Sequence, residues 1–310
     1  MSTLPLLLLK RFKQSYLLLI IGVHCIHCSH KPSHFNAPTH SSSTSISRVT
    51  LHENSNSHKD HHVHNNHDET THKSTMTHKV LITGFYDWKE LGTPPQLTRC
   101  RDNPSCVVLA GHGIGGRDFQ GTLSQMLYHW SKSQKRIILD FKLLPVTWQD
   151  LPHTALHQYD QVIHLGLGVY DSFHRILIEE GAYNLHKGKD ALRVARNAMI
   201  LPSQDTILFP PLSIQKGIQH ALLVPLPTPF TLSRAQARAR NTYLCNATHY
   251  RALHHIKTQP KSRLKTAYFL HIPHIQRSES KKHPHHDHDL SKALYLIIQN
   301  LIMTAHNHNE

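Results

Sequence analysis

Hydrophobic and polar positions are distributed very unevenly along this chain. Residues 31–78 consist mainly of Ser, Thr, Asn and His and have almost no apolar periodicity. Such a stretch cannot bury enough apolar surface to offset the entropy lost on ordering, so we expect a disordered, His-rich tether. Apolar patterning begins abruptly at Lys79. We therefore place the folded domain at residues 79–310.

Within that domain, short apolar runs alternate with stretches of helical periodicity. The runs predict strands at Lys79–Phe85, Cys106–Ala110, Arg136–Val146, Gln161–Gly166 and Thr266–Leu270. The helical spacing predicts helices at Phe119–Trp130, Thr147–Gln158, from about Cys245 onward, and Leu290–Ala305. This alternation is typical of a mostly parallel sheet with helices on both faces. The predicted fold class is α/β, as a three-layer α/β/α domain.

The first 30 residues have the composition of a targeting segment. Lys10, Arg11 and Lys13 precede the apolar run Tyr16–Val23, which suits a signal-peptide core and is too short to span a bilayer comfortably. We expect export, to the periplasm or outside the cell. The alternatives are an uncleaved amphipathic anchor, with membrane contact through this segment, and a cytoplasmic protein.

Charge and histidine content narrow the choice of partners. Lysine plus arginine total 34 against 20 acidic residues, a formal balance of +14, but no basic stripe with interleaved aromatics is present. We therefore expect no nucleic-acid partner. The 32 histidines are the compositional anomaly. The histidines of the tether suit loose binding of zinc, copper or nickel. The alternative is that they only keep the tether solvated. The tether histidines at metal-binding spacing are His58, His61, His62, His64 and His67.

The five cysteines do not all have the same expected state. Cys25 and Cys28 form a CxxC that is only half a metal site. Cys100 and Cys106 are close enough to pair in an oxidising compartment, which would leave Cys245 as the unpaired thiol. Cys245 is predicted near the first turn of a helix, where the helix dipole favours a thiolate, the nucleophilic form.

A glycine-rich segment offers a different chemistry. Gly111, Gly113 and Gly116 form GxGxxG between a predicted strand and a predicted helix, and Asp140 lies in the next strand. This is the arrangement of a dinucleotide-binding turn and would indicate a nucleotide-dependent reductase. The motif is not in the first βαβ unit, however, and Pro145 follows in an unusual segment, so the context disfavours that function.

A series of segments spread over the domain points to a peptidase. In order they read GFYDW, DNPS, LLPVTW, VIHLGLG, EEGAYN, NTYLCN and FLHIP, between Lys79 and His274. Together they resemble the pyroglutamyl peptidase I family of cysteine omega-peptidases. The resemblance implies hydrolysis of the amide bond after an N-terminal pyroglutamyl residue, with such peptides as partners, no required cofactor and a possible oligomer.

The catalytic positions follow from the matching motifs. The resemblance assigns Cys245 as the nucleophile, His271 as the base and Glu179 as the residue that orients the imidazole, with Glu180 as a nearby competitor for the last role. A thiol nucleophile needs such a base, and the base needs a third group to hold it. We expect Cys245 and His271 to form a thiolate–imidazolium pair.

On the substrate side, the resemblance assigns Phe85, Trp88 and Asn184. Two departures mark a divergent member: the glycine-rich segment Gly166–Arg175 is longer than usual, and Arg240-Asn241 replaces a pair of small residues. These departures leave an alternative from another class. In it, the domain is a catalytically degenerate peptidase scaffold that acts as a His-rich metal-binding protein.

Overall fold

The computed structural model describes residues 77–88, 100–112, 119–148, 156–238, 242–274 and 285–307. Several predicted features lie outside these ranges: the targeting segment, the metal-binding histidines of the tether, Cys25 and Cys28, Arg240-Asn241, and the second and third glycines of GxGxxG. All described residues belong to one unit, which spans residues 70–310.

A six-stranded sheet forms the centre of the described part of the chain. In spatial order its strands are β2 (Ile137–Leu144), β1 (His78–Phe85), β3 (Gln161–Val169), β10 (Thr266–Pro273), β4 (Arg175–Glu179) and β9 (Thr231–Ala235). The first four run parallel, β4 is antiparallel to β10, and β9 is parallel to β4. β3 and β10 are buried along almost their whole length, which explains their continuous apolar runs.

Helices cover both faces of this sheet. On one face α1 (Pro104–Ala110), α2 (Thr122–Ser133) and α3 (Leu212–Leu222) pack against α5 (His286–Asn307), while α4 (Leu244–Thr258) packs on β3 and β10. Gly217 of α3 lies against Tyr268, whereas Gly166, which faces α4, lies against Phe269. Tyr268 and Phe269 are adjacent in β10 and point to opposite faces. The predicted α/β/α arrangement is thus confirmed.

Two small sheets flank the main one. β5 (Ala182–Tyr183) pairs with β8 (Ile207–Leu208), and β6 (His186–Lys189) pairs with β7 (Ala195–Ala198) in a hairpin. In the described part of the chain, no helix is long and apolar enough to cross a membrane.

Most predicted elements are confirmed with shifted ends, but the strand predicted at Cys106–Ala110 is wrong, because this run forms α1. Asn103 caps that helix by accepting a hydrogen bond from the Ser105 N–H at 3.1 Å, and Pro104 occupies its first turn. Every residue of α1 is buried, so its apolar run has no polar face to reveal the helical period.

The helix predicted at Thr147–Gln158 does not appear at the described ends of that range, and residues 149–155 lie outside the described part of the chain. Among the described residues of this range, only Leu156–Gln158 forms a single 3-10 turn. Trp148 instead donates two hydrogen bonds to the β6–β7 hairpin. Its backbone N–H donates to Asp190 Oδ2 at 3.1 Å, and its indole N–H donates to the Val194 carbonyl at 2.9 Å. Tertiary hydrogen bonds replace helical ones at this position.

The glycine-rich segment does not follow a strand, as a dinucleotide-binding turn would. Gly111 follows helix α1 rather than a strand, and it ends that helix with φ of 78° and a hydrogen bond from its N–H to the Val107 carbonyl. Asp140 is paired with Lys79 at 3.1 Å and accepts a hydrogen bond from the Tyr159 hydroxyl at 3.0 Å. In the described part of this segment a helix takes the place of the entering strand, and Asp140 already has two partners.

Candidate active site

The residues assigned as base and orienting acid are in direct contact. Nε2 of His271 in β10 lies 2.6 Å from Oε1 of Glu179 at the end of β4, and their side chains are only 6% and 5% exposed. Glu180 instead accepts a hydrogen bond from Arg234 at 2.9 Å. Adjacent side chains leave a strand on opposite faces, so only Glu179 is directed toward the imidazole.

Two glycines of β3 make room for the thiol and the imidazole. A Cβ at Gly166 would lie 2.7 Å from Cys245 Sγ, and a Cβ at Gly168 would overlap the ring of His271. Residues two apart on a strand share a face. Cys245 and His271 therefore both lie on this face of the sheet, and the Cys245 thiol approaches the Leu167 carbonyl at 3.9 Å.

Helix α4 presents Cys245 in its first turn, as predicted. Tyr243 is the N-cap residue and supplies no side-chain capping bond. The N–H groups of a first helical turn have no acceptor within the helix, so that of Cys245 is suited to an oxyanion.

Asn246 was missed by the sequence reasoning. Its Oδ1 accepts from the Tyr183 N–H at 2.7 Å, and its Nδ2 donates to the Tyr183 carbonyl at 2.8 Å. These two hydrogen bonds hold the start of α4 against β5. β5 directly follows the strand that carries Glu179. In the sequence, the position of Asn246 directly after Cys245 in the YLCN motif could have marked it as a residue of the site.

The surroundings of Cys245 act on the pKa of its thiol in the direction opposite to the helix start. Burial, and then the negative charge of Glu179, raise the pKa of this thiol to about 12. These effects oppose that of the helix start, so they favour the neutral thiol over the thiolate. Among the described cysteines Cys245 is the only free one, since Cys100 and Cys106 form a disulfide.

A pocket of about 390 Å³ opens beside the thiol. Phe85 and Trp88, the two predicted aromatics, line it together with Cys245. The lining residues not predicted from the sequence are Asn103, Val146, Leu167, Tyr170, Tyr243, Leu244 and His274. No Asp, Glu, Lys or Arg is among them, so the pocket suits a neutral group with a largely apolar outline.

Two tyrosines of the pocket wall, Tyr170 and Tyr243, interact electrostatically with Cys245. The pKa of Tyr170 is raised by burial and by Cys245, and the pKa of Tyr243 is raised to about 12 by burial, Asp190 and Cys245. The Tyr243 hydroxyl donates to the Lys189 carbonyl at 2.8 Å. Tyr243 is recognisable in YLCN, whereas nothing in the sequence distinguishes Tyr170.

Asn184, assigned to the substrate side, is not a lining residue of this pocket. Its amide donates to the Leu201 carbonyl at 2.8 Å and accepts from the Leu201 N–H at 2.9 Å. The side chain is 3% exposed. Asn184 thus holds the loop that leads to β8, and its assignment to the substrate side stays a prediction.

The described residues contain no group of three or more His, Cys, Asp or Glu side chains placed to hold a metal ion. The histidines of the tether lie outside them, so loose binding of zinc, copper or nickel there stays a prediction.

Comparison with known proteins gives structural likeness at low identity. No family model matches the chain, and no curated protein matches it. It is similar to a mutant pyrrolidone carboxyl peptidase from Pyrococcus furiosus, with 21% identity, a TM-score of 0.48, and coverage of 73% of this chain and 98% of that one. It is also similar to pyroglutamyl peptidase I from Bacillus amyloliquefaciens, with 17% identity, a TM-score of 0.47, and coverage of 73% and 97%. These proteins are of the kind that the ordered motifs resemble, but at such identities and TM-scores the likeness carries no functional conclusion.

Proposed function

We propose that this protein is a cysteine omega-peptidase that hydrolyses the amide bond after an N-terminal pyroglutamyl residue. The observation that carries the proposal is the buried contact between His271 and Glu179, on the same face of the sheet as the thiol of Cys245. A nucleophile, a base and an acid that orients the base are the minimum set for acyl transfer through a thioester. The ordered motifs of the sequence agree with it.

In the acylation step, Cys245 Sγ attacks the carbonyl carbon of the pyroglutamyl group. Because burial raises the pKa of the thiol, its proton passes to His271 as the S–C bond forms. The Glu179 carboxylate stabilises the resulting imidazolium, and the N–H of Cys245 donates to the oxyanion. His271 then gives its proton to the leaving amine as the C–N bond breaks, which leaves a thioester on Cys245.

Deacylation repeats these roles with water. His271 removes a proton from a water molecule that attacks the thioester carbonyl, and the imidazolium returns the proton to the departing sulfur. The products are free pyroglutamate and a peptide shortened by one residue. Glu179 keeps its negative charge throughout, since its part is to orient and stabilise the ring.

The pocket supports the choice of a small neutral acyl group. Phe85, Trp88 and Leu244 supply apolar walls for a lactam ring, and the described lining residues include no Asp, Glu, Lys or Arg. An unmodified N-terminal residue would bring a positively charged amine into this largely apolar space, at a desolvation cost.

The test is hydrolysis by the full-length protein. Pyroglutamyl coumarylamide should be cleaved, while the prolyl and glutaminyl coumarylamides should not, and Cys245→Ala should abolish cleavage without lowering the melting temperature much. Retained cleavage by Cys245→Ala would overturn the mechanism. Absence of cleavage by the intact protein would overturn the proposed activity.

A further inference from the structure

The β6–β7 hairpin is an exposed, positively charged arm. Lys187, Lys189, Arg193 and Arg196 are all exposed. The one carboxylate of the hairpin, Asp190, is only 4% exposed and is turned inward, where it accepts hydrogen bonds from the backbone N–H groups of Trp148 and Val194. Every exposed charge on the arm is therefore positive.

The arm is attached directly to the start of the nucleophile's helix. The Lys187 N–H donates to the Thr242 carbonyl at 2.9 Å, three positions before Cys245. The next residues of the two segments, Gly188 and Tyr243, are also in contact. Gly188 has φ of 124°, and a Cβ there would lie 3.1 Å from the Tyr243 ring. Since Tyr243 also lines the pocket and donates to the Lys189 carbonyl, the arm borders the pocket at this wall.

Pocket and arm differ in charge. The described residues that line the pocket include no Asp, Glu, Lys or Arg, whereas the exposed charges of the arm are all positive. A peptide whose acyl end fills the pocket must leave it past the rim, and the arm lies behind that rim at Tyr243. The charges of the arm are thus placed to meet the part of the peptide that follows the scissile bond.

Building on the proposed function, we propose that the arm selects pyroglutamyl peptides with Asp or Glu in the positions after the scissile bond. Opposite charges attract an incoming peptide and fix its register more than they tighten the complex, and salt screens exposed charges. The selectivity is therefore expected mainly in kcat/KM and at low ionic strength.

The first experiment compares two substrates that differ only after the pyroglutamyl group, one continuing with Glu-Asp and one with Ala-Ser. The intact protein should favour the acidic peptide in kcat/KM, and the double variant Lys187→Gln, Lys189→Gln should lower that ratio by about three- to tenfold, since exposed charge pairs are each weak. Raising the salt from about 0.05 M to about 0.5 M should have the same effect.

Lys261→Gln is the matched control. Lys261 is exposed and follows the C-terminal end of α4, whose 15 residues put it roughly 20 Å from the thiol at 1.5 Å per residue. This variant loses a surface lysine of the same kind and should keep the substrate ratio. A ratio that falls equally in both variants would overturn the inference, because net charge alone would then explain it.

A binding measurement separates this inference from the proposed activity. Full-length Cys245→Ser is titrated with the two peptides carrying a fluorophore at the far end, and anisotropy is recorded. Tighter, salt-sensitive binding of the acidic peptide that is lost in the Lys187, Lys189 double variant supports the arm even if no peptide is cleaved. Equal affinity for both peptides overturns it. So does equal binding of acidic peptides with and without the pyroglutamyl end, because the arm would then be a separate anion-binding surface.

Discussion

His271 Nε2 and Glu179 Oε1 are 2.6 Å apart, and almost no water reaches either side chain. A contact this short between two buried groups orients the imidazole, whose Nδ1 edge lies against Gly168 of β3. Charge-assisted hydrogen bonds of this kind are among the strongest in proteins. The pair therefore gives the candidate site its definite geometry.

The two neighbouring glutamates should differ sharply in mutation. Glu179→Gln removes the charge that stabilises the imidazolium and should lower kcat by on the order of a hundredfold or more. Glu180→Gln breaks only the partly exposed pair with Arg234 and should change kcat several-fold at most. Steady-state kinetics decide between them, with melting curves as controls for folding. Equal losses in the two variants would show that the assignment of Glu179 is incorrect.

The pH dependence of alkylation should report the raised pKa of Cys245. Since the thiol's pKa lies at about 12, its inactivation by iodoacetamide should accelerate about tenfold per pH unit through the neutral range, as the thiolate fraction grows. Stopped assays of residual activity measure the rate, and peptide mapping should find the label on Cys245. A plateau already near pH 6 to 7 would instead reveal a preformed thiolate–imidazolium pair.

Tyr170 should contribute through its hydroxyl. Tyr170 lines the pocket together with Cys245, and we expect its hydroxyl to donate to the lactam or the oxyanion of a bound substrate. Tyr170→Phe should lower kcat/KM by roughly three- to tenfold, the effect of losing one neutral hydrogen bond. Tyr128→Phe, at an exposed position on α2, is the control and should leave kcat/KM unchanged. Identical behaviour of the two variants would contradict a role for the Tyr170 hydroxyl.

The folded domain should be acid-labile because two histidines are buried as neutral rings. His164 and His249 are 3% and 1% exposed, they pack around Phe269, and burial lowers the pKa of each to about 3. The unfolded rings bind protons near pH 6.5, so the stability that the neutral rings contribute is complete above that pH and falls as the pH drops toward 3.

Urea unfolding at several pH values measures this effect. Below about pH 6 each of the two rings should reduce the free energy of unfolding by ~1.4 kcal/mol per pH unit. His249→Leu should remove one such contribution from the slope, whereas His220→Leu, at an exposed position of α3, should not. A slope that is unchanged in His249→Leu would contradict the burial of a neutral ring there.

Part of this architecture could be predicted from local pattern. The strands β1, β3 and β10 lie in the middle of the sheet, with both faces covered, and so they appear as continuous apolar runs in the sequence. The same reasoning failed at α1, because a helix buried on all sides also gives a continuous apolar run. The cap at Asn103 and the proline after it were the signals that distinguish the two.

The residues of the candidate site also fall into those that the sequence could assign and those that it could not. The residue types Glu179, Cys245 and His271 could be assigned from short motifs, because each motif lies on one element. Tyr170 and Asn246 could not, because their roles depend on contacts with segments far away in the chain: the pocket in one case and Tyr183 in the other.

The sequence by itself determined the α/β alternation, the central strands and the three residue types of the proposed chemistry, since these depend on spacing within single elements. Only the tertiary structure showed that Glu179 contacts His271 while Glu180 pairs with Arg234, that burial and Glu179 raise the pKa of the Cys245 thiol, and that a charged hairpin borders the pocket. Hydrogen bonding and pKa shifts depend on distances and on the exclusion of water, and both arise only when separate elements pack together.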